Sequence, residues 1–271
     1  MEINRTNVNE VVFKSGLKPD KDYGQNFLIE PVVCQKITDL LDVKEDERVL
    51  EIGPGIGSLT HFLSLQKYQQ LDLVDIDQRM VDFLNIIYRN ENTNVILSDI
   101  RKHDVSKYEK IIGNLPYNIT TETVLYLLKN AKKAKRIVLM CQSETFAHFK
   151  DISGKEYGPV SVLLHLLGKV ESKFVVKAGS FYPAPKCSST VFVITFNENV
   201  NFDYCWDVYL LSKQMFLNRR KTIYNNLSNY LKDKNLAEQV LNDLQIEANK
   251  RPEELNPTIY EKLFERIKAI S

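Results

Sequence analysis

Residues 114–117, Asn-Leu-Pro-Tyr, follow an apolar pair typical of the end of a buried strand and precede a helical pattern. Proline lacks the N–H that an interior strand would use, so the stretch predicts a rigid loop. The Asn114 side-chain oxygen and the Leu115 carbonyl can each accept one N–H of an exocyclic amine, which aims the nitrogen lone pair at a methyl carbon. Tyr117 can stack on the base that carries the amine. These residue types indicate methyl transfer to the amine of a base that has left its stack.

A second feature is a glycine loop, Gly53, Gly55 and Gly57, between an apolar run and residues that suit a helix. Glycines let the backbone approach a ligand closely. The spacing departs from the dinucleotide fingerprint and no Lys or Arg accompanies it, so a pyrophosphate is not indicated. Asp75 ends the next predicted strand, where a carboxylate can accept both ribose hydroxyls. Asp99 ends the strand after that, where it can bond the exocyclic amine of adenine.

Four successive predicted strand ends therefore carry the glycine loop, Asp75, Asp99 and Asn114. Ligands in open α/β sheets bind at the carboxyl ends of the strands. A positively charged, adenosine-containing cofactor suits two acidic residues that have no Lys or Arg beside the glycine loop, and S-adenosylmethionine is such a cofactor. The alternative is that the two aspartates are turn and helix-capping residues.

Metal and disulfide chemistry is not indicated. The four cysteines and four histidines are scattered, with no CxxC pair and no metal-ligand spacing, so we expect free thiols and no metal. No apolar run reaches the length of a membrane helix, and the polar start of the sequence lacks the apolar core of a signal peptide. These observations predict a cytoplasmic protein without membrane contact.

Strand and helix patterns alternate from residue 48 to 142, which predicts a parallel sheet covered on both faces. Two β-rich runs follow at 173–179 and 190–196, and only helical patterns remain beyond residue 197. We expect an α/β fold, a Rossmann-like methyltransferase sheet with a smaller, all-helical C-terminal domain. The expected domains are 1–198, which would bind S-adenosylmethionine, and the helical segment 199–271.

The net charge of +1 hides a segregation of charge along the chain. Residues 37–128 carry 9 Lys and Arg against 15 Asp and Glu, whereas residues 129–197 carry 11 against 4. A basic region of this kind can attract a polyanion such as RNA, with salt-sensitive binding. A solvated charged face is the alternative.

Several stretches together resemble the KsgA-type small-subunit rRNA adenine dimethyltransferases: DYGQNFL (22–28), EIGPGIGSLT (51–60), NLPYNIT (114–120), FYPAPKCSSTV (181–191), FLNRRKTIYNNL (216–227) and RPEEL (251–255). They span nearly the whole chain in the family's order. The resemblance implies transfer of two methyl groups from S-adenosylmethionine to N6 of each of two adjacent adenines in the 3′-terminal hairpin loop of 16S rRNA. It implies 16S rRNA of the assembling small subunit as the partner, with the helical domain 199–271 in contact with that rRNA, and we expect a monomer.

The resemblance also implies roles for single residues. Six of them are implied to contact the cofactor: Asn26, Leu28, Gly53, Asp75, Asp99 and Asn114. By position alone, Asn26 would be a helix cap, and Asp75 stands where the family usually has the longer Glu. The implied catalytic set is Asn114, Tyr117 and Phe181, the last of which would close the other side of the target base. Without the resemblance, Phe181 is expected in the core.

Arg219, Arg220 and Lys221 fall between two helical runs. Three adjacent cations on the first turn of a helix can neutralise phosphates without reading sequence, although a solvated surface is the alternative. Two other functions remain open: the related 23S rRNA adenine dimethyltransferase of the macrolide-resistance type, and a non-catalytic ribosome-assembly factor. NLPYNIT, RRKTIYNNL and RPEEL favour the small-subunit enzyme, and the intact Asn114 and Tyr117 favour catalysis.

Overall fold

The computed structural model describes residues 1–14, 16–20 and 23–270, so Asp22 of the DYGQNFL motif lies outside the described residues. The strands within these ranges are, in chain order, β1 (Phe27–Leu28), β2 (Arg48–Ile52), β3 (Gln70–Asp75), β4 (Thr93–Leu97), β5 (Lys110–Asn114), β6 (Arg136–Gln142), β7 (Gly168–Val176), β8 (Phe181–Tyr182) and β9 (Ser189–Phe196).

The α-helices are, in chain order, α1 (Val8–Lys14), α2 (Pro31–Asp39), α3 (Ser58–Leu63), α4 (Gln78–Tyr88), α5 (Thr120–Asn130), α6 (Ser143–Lys150), α7 (Pro159–Leu167), α8 (Phe202–Phe216), α9 (Ile223–Leu231), α10 (Lys234–Asp243) and α11 (Pro257–Lys268). Five of them begin at side chains that accept a backbone N–H from the first turn, the usual N-cap arrangement: Asp77, Asn201, Thr222, Asp233 and Asn256. Of the described helices, none combines the length and apolar character needed to span a bilayer.

Seven strands form one sheet in the order β4-β3-β2-β5-β6-β9-β7. Neighbouring strands from β4 to β6 are parallel, as the alternating pattern predicts, whereas β9 pairs with β6 in the antiparallel direction. Ser189, the first residue of β9, lies opposite Gln142, the last residue of β6, so β9 has to run back along it. The predicted α/β class is therefore confirmed, with a mixed sheet in place of a purely parallel one.

The central strands are buried on both faces, because helices cover the sheet on each side. Leu50 in β2, Ile111 in β5 and Leu139 in β6 are fully buried. Since these strands are parallel, their carboxyl ends share one edge of the sheet. The same edge receives the short antiparallel pair β1–β8, in which Leu28 pairs with Phe181.

The described chain divides into two compact units, residues 1–145 with 171–196 and residues 146–170 with 197–270. The first unit holds the sheet. In the second, α7 packs on α8 and α11, and buried residues from both parts of the chain share one core, among them Val162, Val208 and Leu263. The sequence-based division at residue 198 differs in placing 146–170 with the sheet, since the apolar face of α7 belongs to the helical core.

Candidate active site

A cavity of about 240 Å³ lies in the first unit, at the carboxyl ends of the parallel strands. Its walls include all six residues proposed to contact the cofactor: Asn26, Leu28, Gly53, Asp75, Asp99 and Asn114. Tyr117 lines it as well, whereas Phe181 is not among the lining residues. The topology thus brings together Asn26 and Asn114, which are 88 positions apart in the sequence.

The glycine loop is held in place by Asp75. Its carboxylate accepts the backbone N–H of Gly55 at 3.1 Å and that of Asp77 at 2.9 Å. Gly55 has φ +56°, and a Cβ there would lie 3.0 Å from Cε1 of Phe27, so a side chain would strain the backbone and crowd the Phe27 ring. Burial raises the pKa of Asp75 to about 6, which leaves it mainly ionised at neutral pH.

The space between Gly53 and the Asn114 loop can hold a methyl-sized group. A Cβ added to Gly53 would find its nearest neighbour, the backbone oxygen of Asn114, at 4.0 Å. The ionisable residues among the described lining are Glu51, Asp75, Asp99 and Arg101, and Arg101 is paired with Asp99. A positively charged, adenosine-containing cofactor fits such a lining better than a pyrophosphate would.

Asn114 is fixed by the segment before β1. Its side-chain Nδ2 donates to the backbone oxygen of Asn26 at 3.1 Å, and Nδ2 of Asn26 donates to the backbone oxygen of Gly24 at 3.2 Å. Because the Asn114 amide nitrogen is held, its carbonyl oxygen is oriented as an acceptor at the cavity wall. Asn26 caps no helix, since α2 begins at Pro31 after Glu30.

Tyr117 is half-buried, and its hydroxyl lies 3.2 Å from the Oγ of Ser189, the fully buried first residue of β9. Burial raises the pKa of the Tyr117 hydroxyl, so it remains neutral. The contact ties the aromatic ring to the sheet and limits its rotation at the edge of the cavity.

Asp99 is paired with a residue that the sequence analysis missed. Nε of Arg101 lies 3.0 Å from Oδ1 of Asp99, and Nη2 of Arg101 lies 2.8 Å from Oδ2. The two residues therefore form a bidentate ion pair. These hydrogen bonds hold the pKa of Asp99 below its usual range. The sequence offers no signal for this pairing beyond the position of Arg101 two residues after Asp99.

Glu51 is a second lining residue that the sequence analysis missed. It is buried in β2, where it accepts a hydrogen bond from Oγ1 of Thr60 at 2.8 Å. Burial raises the pKa of Glu51 to about 8, so the carboxyl is mainly protonated at neutral pH. An acidic residue inside the apolar run Arg48–Ile52 is a signal that could have singled it out.

Phe181 packs in the core of the first unit. It is 3% exposed, pairs with Leu28 across the β1–β8 ribbon, and shares a cluster with Val191. The expectation of a core aromatic therefore matches its surroundings in this structure. Contact with a target base stays a prediction for this residue.

The three adjacent cations lie in the second unit, in the turn between α8 and α9, and not on the first helical turn. Arg219 is partly occupied within the protein, because it donates to the backbone oxygen of Gly154 at 3.1 Å and lies 5.5 Å from the centre of the Phe216 ring. Arg220 and Lys221 are exposed. The predicted RNA contact remains untested for all three, and the two exposed side chains are the more available.

Comparison with known proteins places these features in a family. Residues 16–268 match the family model described as ribosomal RNA adenine dimethylase. A protein of Mycoplasma capricolum named ribosomal RNA small subunit methyltransferase A is 34% identical over 264 residues, covering 93% of this chain and 98% of that protein. A protein of the same name from Natranaerobius thermophilus is 33% identical, covering 96% and 95%.

Solved structures agree with the fold. The crystal structure of a dimethyladenosine transferase from Plasmodium falciparum is similar with a TM-score of 0.76 and 26% identity, over 90% of this chain and 98% of that one. The structure of the 23S rRNA methyltransferase ErmE has a TM-score of 0.69 over 90% and 100%, but at 20% identity it speaks for the fold alone. From the match over almost its whole length, together with its relatives, this chain belongs to the ribosomal RNA adenine dimethylase family.

Proposed function

We propose that this protein transfers methyl groups from S-adenosylmethionine to N6 of two adjacent adenines in the 3′-terminal hairpin loop of 16S rRNA. The observation that carries the proposal is the Asn114 amide, whose nitrogen is held by Asn26 so that its oxygen is available at the cavity wall. The near full-length relatives bear the name ribosomal RNA small subunit methyltransferase A, which supports the small subunit as the substrate.

The protein's part in the reaction is positioning and electrostatic stabilisation. The amine of adenine is a weak nucleophile because its lone pair is delocalised into the ring. The Asn114 oxygen and the Leu115 carbonyl would each accept one N–H, which draws the nitrogen toward a tetrahedral shape and stabilises its developing positive charge. No strong base is required, since the nitrogen becomes acidic only as the new bond forms.

Tyr117 would hold the extruded base by stacking. Base–aromatic stacking contributes about 1–3 kcal/mol, which helps offset the cost of removing the adenine from its own stack. The hydroxyl contact with Ser189 supports this role, because a ring with restricted rotation loses little freedom when the base arrives. Phe181 would have to leave its present packing to reach the other face of the base.

The cavity residues would hold the cofactor, which supplies an activated methyl group when bound. The backbone at Gly53 leaves room for it, Asp75 would accept the ribose hydroxyls and Asp99 the adenine amine, while Asn26 and Leu28 complete the wall. We propose no metal. Among the described residues, no group of His, Cys, Asp and Glu side chains could hold one.

The wider setting is also part of the proposal. We place the enzyme in the cytoplasm, acting as a monomer on 16S rRNA during small-subunit assembly. Exposed Arg220 and Lys221 would neutralise phosphates and so contribute to a salt-sensitive affinity for RNA.

A comparison of three RNA substrates tests the proposal. Methyl-deficient small subunits, free 16S rRNA and bare 23S rRNA are each incubated with the protein and labelled S-adenosylmethionine. We expect label in small subunits, with digestion yielding dimethylated adenosine from two adjacent positions. Label found only in 23S rRNA would transfer the assignment to the large-subunit reaction. RNA binding without label in any substrate would favour the non-catalytic assembly factor.

A further inference from the structure

The guanidinium of Arg101 connects Asp99 in the cavity wall to Glu122 outside it. Besides its two bonds to Asp99, its Nη1 lies 2.6 Å from Oε2 of Glu122. Glu122 lies in the first turn of α5, the helix that directly follows the loop at residues 115–119. The guanidinium thus lies between Asp99, which is proposed to bind the adenine of the cofactor, and α5, the helix that follows the Asn114 loop.

Among the described residues, the hydrogen bonds leave Asp99 with one open acceptor position. An ionised carboxylate has about four such positions and donates no hydrogen bond. Oδ1 accepts from both the backbone N–H and the Nε–H of Arg101, at 2.9 and 3.0 Å, while Oδ2 accepts from Nη2 at 2.8 Å. The remaining position, on Oδ2, suits one N–H donor.

We propose that Arg101 is a positioning residue that gives the site its specificity for adenine over hypoxanthine in the cofactor. Adenine presents an amine at C6, which can donate to the open position on Asp99. Hypoxanthine presents a carbonyl oxygen there, which would face the carboxylate with no hydrogen between them and leave a desolvated charge unpaired. By fixing the ionised carboxylate, Arg101 prevents Asp99 from turning away or taking up a proton to accommodate that oxygen.

The inference rests on the proposed binding of S-adenosylmethionine, and its test uses ligands that require no turnover. Binding of S-adenosylhomocysteine and of its inosine counterpart is measured by calorimetry on the full chain, for the unchanged protein and for Arg101→Met, Arg101→Lys and Lys102→Met. Lys102 is an exposed neighbour, so its substitution removes the same charge without touching the ion pair.

We expect the unchanged protein and Lys102→Met to prefer the adenine ligand by at least about tenfold, since one charge-assisted hydrogen bond is at stake. Arg101→Met is expected to weaken the adenine ligand about tenfold and the inosine ligand far less, so that the preference largely disappears. Arg101→Lys keeps the positive charge but cannot make the bidentate pair with Asp99, so its preference for the adenine ligand is expected to fall between those of the unchanged protein and Arg101→Met. In methylation assays, Arg101→Met should raise KM for the cofactor while kcat at saturation stays within about twofold.

A structural role alone would weaken both ligands equally, and an unchanged preference in Arg101→Met would overturn the inference. If the unchanged protein binds S-adenosylhomocysteine but Arg101→Met does so equally well, only the role of Arg101 fails. If the unchanged protein binds neither ligand, the proposed cofactor fails and the inference with it.

Discussion

The ionisation of Asp75 should set the pH dependence of cofactor binding. Its ionised carboxylate would accept the ribose hydroxyls, whereas the protonated form has lost acceptor capacity. Burial raises its pKa to about 6, so the ionised fraction falls from roughly nine-tenths at pH 7 to roughly one-tenth at pH 5. If only the ionised form binds tightly, affinity should drop by about tenfold over these two units.

The other carboxyls of the cavity keep one charge state across this interval. Asp99 has a lowered pKa and stays ionised, while Glu51, with a pKa of about 8, stays mainly protonated. Of the described acids that line the cavity, Asp75 is therefore the one expected to titrate between pH 5 and 7.

Calorimetry with S-adenosylhomocysteine at pH 5, 6 and 7 measures the effect, and Asp75→Asn provides the reference. The amide has a single oxygen, so it can satisfy only one of the N–H groups of Gly55 and Asp77, at a cost of about 1–3 kcal/mol to the loop. We expect weaker binding that no longer varies with pH. Affinity that is constant in the unchanged protein, or that falls equally in Asp75→Asn, would refute the reasoning.

Three further predictions concern stacking, the loop backbone and RNA. In single-turnover assays, Tyr117→Ala should lower the rate of methylation about tenfold or more, because the stacking is lost. Tyr117→Phe loses only the contact with Ser189 and should lower the rate less than about tenfold. Equal losses in the two variants would contradict this prediction. Gly57→Ala should lower the free energy of unfolding by about 1–3 kcal/mol in denaturant titrations, because φ at Gly57 is +87° and the new Cβ would lie 2.9 Å from the Tyr88 ring. An unchanged free energy of unfolding would contradict this prediction. Arg220→Ala should reduce the salt slope of RNA affinity by about one phosphate contact, and an unchanged slope would argue against that contact.

Local patterns were sufficient to predict the edge of the sheet where the cavity and the candidate site lie. Each strand from β2 to β5 contains apolar residues and has a glycine, an acid or an amide at its last residue or just after it, and parallel strands bring such ends together. Gly53, Asp75, Asp99 and Asn114 were therefore placed by pattern, whereas Asn26 came from resemblance alone. The contact that the structure shows for Asn26, between its backbone oxygen and Asn114, forms only after the chain has folded.

Other features depend on tertiary packing that no local pattern contains. The antiparallel direction of β9 follows from where Ser189 meets Gln142, and the place of α7 follows from a core shared with α8 and α11. The bidentate ion pair between Arg101 and Asp99 depends on the side-chain rotamers of both residues, which residue spacing does not determine. Arg219 looked equivalent to its neighbours until its contact with Gly154 distinguished it.

The most direct test of the central claim is the single-turnover rate of methyl transfer to methyl-deficient small subunits by Asn114→Ala. Removing one preorganised group of this kind costs about 100- to 1,000-fold in rate, and we predict a loss of that size at saturating S-adenosylmethionine. Asn92→Ala, an exposed asparagine away from the cavity, should retain the full rate. A rate for Asn114→Ala equal to that of the unchanged protein would contradict the account.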